Sequence, residues 1–549
     1  MHRNLRAVQP DPKTKSQSLS SAWAPQLLLF ALFFAGLMLL HAPLLRLPYF
    51  WDEAGYYVPA ARDLFLTGSL IPQSTPSNAH PPLVMAWLAL AWRVAGYSAL
   101  VTRTAMLALS AFLLLGLFRL SRMATAGNLP VAWATTVLVA LYPVYFTQSS
   151  MALVDLPAAG FTFWALAAYI EDRPWRQAIW FSLAALTKET AILAPLALFC
   201  WEFLAFSIRG RPNESPKKIQ WKEILPPAGR RTRFLYLLLP GVPLAGWYAY
   251  HYSKTGFLLG NPEFFRYNVA ATLNPLRVPL ALGIRLWQLF GYFGLYLLTV
   301  AGLLAMLRLP RMLNEMGNNI VRARIPFWVQ AAFLSVLLVY LAFMSAVGGA
   351  VLARYMLPVV PLVVLTLVST LWRRARYWKL IVGAVVIAFV AGLFSNPPYG
   401  FSLEDNLAYR DYIVMHAEAS RFLSMRYPGE RILTAWPASD ELTRSWLGYW
   451  NANASQPFKV LRIEDFSGSQ VEAAALARSQ FDVALVFSTK YQPPHALLEN
   501  WDAWQRVKEK FFGYHRDLLP EDIAQRLGGT ITYRKERNGQ WIAVIAVAR

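Results

Sequence analysis

The sequence predicts a polytopic α-helical membrane protein with a soluble α/β domain at its C-terminal end. Of its 549 residues, 56% are hydrophobic and 15% charged, against about a quarter charged in an average soluble domain. A dozen apolar segments follow one another between residues 24 and 394, several close to the roughly 20 residues that cross a hydrocarbon core about 30 Å thick. Beyond Phe394 the chain turns polar, and short β-rich runs alternate with helical patterns.

Residues 1–23 are polar and basic (Arg3, Arg6, Lys13, Lys15) and read as a disordered cytoplasmic N-terminus. The apolar run at 24–45 is longer than the core of a signal peptide, and further spans follow it, so it reads as a retained first helix. It opens a transmembrane domain over 24–394, with a first outer loop at 46–80. The later segments lie at 81–98, 103–118, 130–147, 156–171, 176–187, 190–208, 234–252, 283–307, 326–347, 354–371 and 378–394. The segment at 81–98 is short and carries Arg93, which argues for a shallow helix that does not cross. The loops at 119–129, 172–176, 209–233, 308–325 and 373–379 then share one side and hold twenty Lys and Arg, against five in the opposite loops. Cytoplasmic loops are marked in this way. The reading gives about eleven crossings of the inner (plasma) membrane. The N-terminus is inside; residues 48–80, Asp155, Lys188 and the C-terminal domain are outside. The formal net charge of +21 therefore marks loops and not a nucleic-acid surface. The single cysteine, Cys200, lies in an apolar run and excludes an intrachain disulfide or a cysteine zinc cluster.

Residues 395–549 read as an extracytoplasmic α/β domain. Strands are expected at Arg431–Trp436, Lys459–Ile463, Asp482–Phe487, Thr530–Arg534 and Trp541–Val547, and helices at 410–426, 438–450, 469–479 and 495–512. Asn538-Gly539 between the last two strands is a hairpin-turn signal. No Gly-rich phosphate loop occurs there. The domain either shapes and covers a site or serves as a cap.

Chemistry-bearing residues gather where spans surface on the outer side. Asp52-Glu53 follows Trp51 and precedes Tyr56-Tyr57 in the first outer loop, which continues to His80-Pro81-Pro82-Leu83. Carboxylates at a bilayer edge are solvated, paired or used. Asp155, two residues before Pro157, is either a helix cap or a site acid. Lys188-Glu189 sits at another outer turn and either pairs within itself or faces a substrate. Arg354-Tyr355 opens an apolar helix, where arginine binds an anion or snorkels. His80 reads as a metal ligand, a phosphate donor or a turn residue. Together these groups suit a charged, lipid-anchored substrate: a carboxylate takes a proton from an acceptor hydroxyl, and cations hold a departing phosphate. A divalent ion held by acidic groups would share the second task.

The motifs Trp51-Asp52-Glu53, His80-Pro81-Pro82-Leu83, Asp155-Leu-Pro, Leu186-Thr-Lys188-Glu189 and Arg354-Tyr355-xx-Pro358 resemble those of the dolichyl-phosphate-mannose–protein mannosyltransferase superfamily. Its bacterial members include aminoarabinose transferases acting on lipid A. The resemblance covers about residues 24–371. It implies the type C membrane glycosyltransferase fold, with about 11–13 helices, and inverting transfer of a hexosyl or pentosyl group from a polyprenyl-phosphate donor to an extracytoplasmic acceptor of the cell envelope. It implies Asp52 as general base, with Glu53 the adjacent candidate. Asp155 would stand near the acceptor or a metal, and Lys188 and Arg354 near the donor phosphate. His80, Glu189, Tyr355 and Tyr56 complete the expected substrate-binding set. A divalent metal (Mg, Mn or Zn) would sit on Asp155 and His80, with no organic cofactor. The aminoarabinose transferases carry a lysine just before Pro-Pro where this chain has His80, so the acceptor stays open. The outer loop at 253–282 is too short for the β-trefoil domain that protein mannosyltransferases often insert.

A transporter would place its charges deep in mid-helix and show a hydropathy repeat between its halves. A receptor binding its ligand on the outer domain would not need Asp52-Glu53 beside His80-Pro81-Pro82. The topology has a direct check. A cysteine at Ser469 is expected to react with a membrane-impermeant maleimide in intact cells and one at Lys217 is not; the opposite pattern inverts the reading.

Overall fold

The computed structural model describes residues 19–209, 224–227, 233–315, 318–450, 458–493, 501–514 and 516–547. The chain is helical up to residue 394, apart from a small hairpin, and then folds around a five-stranded sheet. Among the described residues, five helical stretches are long and apolar enough to cross a membrane: Ala24–Leu44, Ala99–Ala124, Glu189–Ile208, Arg277–Met306 and Phe327–Ala346. The protein is a membrane protein on that composition.

α1 (Leu19–His41) leads into the first outer loop. There a π-helical turn at Glu53–Tyr57 runs into α2 (Val58–Thr67). α3 (Leu83–Ala95) has 13 residues, about 20 Å at 1.5 Å per residue, which is short of a hydrocarbon core. α4 (Ala99–Ala124), α7 (Asp155–Ile170) and α8 (Pro174–Thr187) form the centre of the bundle. α4 and α7 approach closely because small residues face large ones: a Cβ on Gly160 would lie 2.3 Å from the side chain of Leu113, and one on Gly116 would lie 2.6 Å from Trp164.

Prolines explain two of the places where helices depart from the apolar segments. The segment at 130–147 divides into α5 (Leu129–Leu141) and α6 (Pro143–Gln148), with Tyr142 extended before Pro143. After α9 (Leu193–Arg209), α10 (Gly241–Thr255) and α11 (Pro262–Asn268), the long stretch at 277–306 is broken into α12 (Arg277–Phe290) and α13 (Leu295–Met306). A hairpin, β1 (Met312–Glu315) with β2 (Asn318–Val321), occupies the 308–325 loop before α14 (Phe327–Ala346). Arg354-Tyr355, expected to open a helix, lies instead in a single turn at Ala353–Met356; α15 starts only at Val360 (Val360–Arg374), because Pro358 and Pro361 interrupt the helical ladder. α16 (Trp378–Phe394) closes the bundle. Lys217 lies outside the described residues.

The C-terminal unit contains α17 (Ala408–Arg426), β3 (Arg431–Ala435), α18 (Ala438–Thr443), β4 (Lys459–Ile463), α19 (Gly468–Leu476), β5 (Val483–Phe487), α20 (Asp502–Phe512), α21 (Pro520–Leu527), β6 (Gly529–Arg537) and β7 (Gln540–Val547). The expected helix at 495–512 begins at Asp502; residues 494–500 lie outside the described residues. The sheet order is β4-β3-β5-β7-β6, parallel across β4-β3-β5 and antiparallel beyond. β5 is buried along its whole length, as a strand covered on both faces must be. The final hairpin turns at Asn538 (φ 48°) and Gly539 (φ 76°), the left-handed pair that a two-residue turn requires.

The loop after α1 packs on the C-terminal domain. Tyr49, Phe50, Ala54, Tyr57 and Val58 share one buried cluster with Tyr412, Leu447 and Phe487 of the C-terminal domain. The Tyr49 amide donates to Leu447 O (3.2 Å) and Tyr449 Oη donates to Tyr49 O (3.0 Å). Trp436 packs so tightly on Gly55 that a Cβ there would fall 2.7 Å from its ring. The domain is part of the mould in which the loop sets.

Candidate active site

The loop is anchored by Glu53. Its side chain is wholly buried and forms a two-pronged ion pair with Arg103, the fifth residue of α4. Glu53 Oε1 also accepts the Ala152 amide (2.5 Å) and Oε2 the Phe50 amide (3.1 Å). Arg103 donates onward to the carbonyls of Pro48 and Ser150, at 3.1 Å each. Burial of a charge is tolerated only with this degree of pairing. Both oxygens of Glu53 are thus committed to holding Pro48–Glu53 against α4 and the 150–152 turn, and nothing of the side chain faces solvent. The expectation that Glu53 takes part in the chemistry gives way to an anchoring role.

Asp52 is presented differently. Trp51 before it has φ 47°, a conformation uncommon for a bulky residue, and the turn after it is π-helical. Strained backbone of this kind persists where the surroundings enforce it; here Trp51 is wedged against Trp436 (5.1 Å between ring centres) and Tyr412 (6.0 Å). Asp52 Oδ2 accepts from Arg354 Nη2. No hydrogen bond to Oδ1 occurs among the described residues, and 35% of the side chain is exposed.

Arg354 is the hub. Its guanidinium meets Asp52, Glu404 (Nη1 to Oε2, 2.5 Å) and Asp155 (Nε to Oδ2, 3.2 Å), and its side chain is 2% exposed. The Asp155 contact is electrostatic without hydrogen-bond alignment; both atoms are buried and make no hydrogen bond. Asp155 Oδ1 accepts from Lys188 Nζ at 2.5 Å, so its role is this pairing and not a side-chain cap on α7. Lys188 does not pair within Lys188-Glu189; Glu189 turns the other way and accepts from or shares a proton with His80 Nδ1 (3.0 Å). His80 is held by rings: Tyr57 stacks on it, and Tyr56 and Phe264 meet it edge-on. Tyr56 Oη is occupied by the Asn78 amide (3.3 Å), so Tyr56 shapes the pocket with its ring. The backbone before His80 is again in the left-handed region, at Ala79 (φ 58°).

Tyr355 is surrounded by cations. Lys188 Nζ lies 4.1 Å from its ring centre, and the guanidinium carbons of Arg285 and Arg354 lie 5.6 and 5.7 Å away. Two of the three have carboxylate partners. Arg285, fully buried on α12, has none among the described residues: it donates to Gln288 Oε1 (2.8 Å), Leu352 O (2.7 Å) and Met344 O (3.3 Å), and its Nη2 makes no hydrogen bond there. A buried cation without a counter-charge is costly, and an anion placed there would relieve it. Arg354, expected on the donor phosphate, already faces three carboxylates; of the three cations around Tyr355, Arg285 is the one without a carboxylate among the described residues.

The residues do not fit a metal ion. The two oxygens of Asp155 face an ammonium and a guanidinium, and His80 joins Glu189 and not Asp155. No group of three potential ligand side chains gathers among the described residues. Three members of the site escaped the sequence reading. Arg103 and Arg285 stood as arginines inside apolar runs, a signal that was available. Glu404 stands in an ordinary polar stretch and gave none.

Three carboxylates and two cations meet around Arg354, an excess of negative charge that one of the acids relieves. Burial pushes Glu404 up to about 8, against the opposing pull of Arg354, and pushes neighbouring Asp405 up to about 7. The folded protein then keeps a proton on Glu404 that the unfolded chain loses above its ordinary value of 4.5, so this group's stabilisation is lost as pH rises through that window. The Tm of the full-length protein in detergent, relative to Glu404→Gln, is expected to fall between about pH 5 and about pH 8 and then to level off. A difference that stays constant with pH removes Glu404 from this role.

No protein-family model matches the sequence, and no curated relative is found. Solved structures are similar over most of the chain. ArnT from Cupriavidus metallidurans in the apo state has 11% identity and a TM-score of 0.49, covering 95% of this chain and 98% of that one. The same protein bound to undecaprenyl phosphate has 12% identity and a TM-score of 0.46, covering 94% and 97%. The Archaeoglobus fulgidus oligosaccharyltransferase tethered to an acceptor peptide has 11% identity and a TM-score of 0.41, covering 84% of this chain and 68% of that one. These are type C glycosyltransferases, the class that the sequence motifs resemble.

Proposed function

We propose that the protein is an inverting glycosyltransferase of the inner (plasma) membrane, using a polyprenyl-phosphate sugar as donor, an extracytoplasmic hydroxyl as acceptor and Asp52 as general base. The observation that carries the reading is the state of Asp52. Glu53, Asp155 and Glu404 are buried and held by cations, and Glu189 pairs with His80; Asp52 is tethered through one oxygen to the buried guanidinium of Arg354 and open at the other. A general base needs that combination, since it must be fixed within reach of the proton and still have a free lone pair.

In the proposed step, Asp52 Oδ1 takes the proton from the acceptor hydroxyl as its oxygen attacks the anomeric carbon. The bond from that carbon to the phosphate oxygen breaks, both of its electrons leave with the polyprenyl phosphate, and the single displacement inverts the centre. Arg285 meets the growing phosphate charge, with Tyr355 between it and the Arg354–Asp52 pair. Stabilisation of developing charge by a preorganised, buried donor is the larger part of such catalysis. The acceptor is cell-envelope glycolipid, polysaccharide or protein.

Two sets of variants test the reading in proteoliposomes. Asp52→Asn is expected to insert normally and bind undecaprenyl phosphate while transfer falls by roughly 10²-fold or more, the scale of lost general-base help. Glu53→Gln is expected instead to lower the amount of folded protein, because it breaks a buried pair. Near-normal turnover in Asp52→Asn overturns the assignment. Arg285→Ala is expected to weaken binding of undecaprenyl phosphate by about tenfold or more, with Arg285→Lys restoring part of it, since a single ammonium replaces a two-pronged donor. Unchanged binding in Arg285→Ala removes Arg285 from the donor site.

A further inference from the structure

One helix of the C-terminal domain has its apolar side chains only half-buried. α20 (Asp502–Phe512) buries none of its side chains. Trp504, Val507 and Phe511 recur along it at three- and four-residue spacing, and Trp501, just ahead of them, is 59% exposed. The opposite side has the exposed cations Arg506 and Lys510, with the exposed acids Asp502 and Glu509 along its other edge. A helix of 11 residues is marginal in water without a surface that takes its apolar side.

The surroundings say what that surface is. Arg277 is the first residue of α12 and opens the apolar stretch Arg277–Met306, which is long enough to span a bilayer. Its Nε donates to the carbonyl of Phe511 (3.0 Å), its Nη2 to the carbonyls of Gly348 (2.6 Å) and Gly349 (3.1 Å), and its guanidinium lies 5.4 Å from the Phe512 ring centre. The end of α20 is therefore pinned at the level where a membrane span begins. Just before Arg277 in the chain, Leu273 and Leu276 are 62% and 65% exposed, and Leu519 beyond the helix is 55% exposed. Apolar and aromatic side chains beside basic ones, at the mouth of a span, form the composition of an interfacial helix.

We propose that α20 lies in the headgroup layer of the bilayer on the face where the C-terminal domain sits, with Trp504, Val507 and Phe511 toward the acyl chains and Arg506 and Lys510 toward anionic headgroups. The helix then serves as a second foot for the domain, beside its grip on the first outer loop. The inference stands independently of the sugar-transfer reading.

The test uses the full-length protein with Cys200→Ala and a single cysteine introduced by Val507→Cys or Arg506→Cys. Each is labelled with an environment-sensitive fluorophore and reconstituted in phosphatidylethanolamine–phosphatidylglycerol vesicles. Nitroxides on the acyl chains are expected to quench the label at 507 at least about threefold more than the label at 506, and aqueous iodide is expected to reverse the order. Equal iodide quenching at both positions overturns the proposal, because the face is then in water. Protection of 507 from both quenchers overturns it too, because protein, including a second copy of the chain, then covers the face. Adding Arg506→Glu and Lys510→Glu to the Val507→Cys protein is expected to reduce lipid quenching by about half or more in phosphatidylglycerol vesicles and to leave it unchanged in phosphatidylcholine. An equal effect in both lipids overturns the headgroup contact.

Discussion

The sharing of one guanidinium among three carboxylates holds the site together. Arg354 joins Asp52 of the first outer loop, Asp155 at the start of α7 and Glu404 of the C-terminal segment. These lie far apart in the chain and in three different structural units. A buried guanidinium or carboxylate without its partner costs several kcal/mol, so the one arginine ties the three units to a common point. Lys188 supplies a second positive charge through Asp155, and the proton favoured on Glu404 supplies the rest of the balance.

The C-terminal domain is drawn into this arrangement by packing as well as by charge. Trp436 closes on Gly55 and Trp51 from one side, while Tyr292 Oη donates to Asp405 Oδ2 (2.6 Å) from the membrane bundle. The Trp51 side chain, on left-handed backbone, meets the Trp436 ring edge-on. A strained loop held only by solvent would relax; one held by a sheet domain stays in the conformation that presents Asp52. The domain therefore shapes the loop, and its Glu404 contributes charge to the cluster.

How much of this was legible in the sequence depended on the range of the interaction. The strands at 459–463 and 541–547 and the Asn538-Gly539 turn were readable because alternation and turn chemistry are local. The residues of the outer face (Asp52, Asp155, Lys188 and Arg354) were readable as charges at the ends of apolar runs. Their partners were not. Nothing local says that Glu53 belongs to Arg103, or that Lys188 turns away from its neighbour Glu189 toward Asp155. Those pairings are tertiary, and adjacent residues on a turn point in different directions. The helix expected to begin at Arg354 fails for a local reason that was visible, the prolines at 358 and 361.

The same pairings separate two carboxylates that the sequence leaves equivalent. Asp52 and Glu53 are neighbours of similar chemistry, and position alone does not rank them. Glu53 receives four hydrogen bonds from Arg103, Phe50 and Ala152, so its lone pairs are consumed and its side chain is shut from solvent. Separating it from Arg103 would leave an uncompensated cation in a buried space. Asp52 has no such debt: Arg354 holds one of its oxygens and remains paired with Glu404 and Asp155 when Asp52 becomes neutral. The two neighbours therefore differ in their surroundings, one with both oxygens locked in a buried pair and the other with one oxygen open, and the proposed assignment of Asp52 as base and Glu53 as anchor rests on that asymmetry.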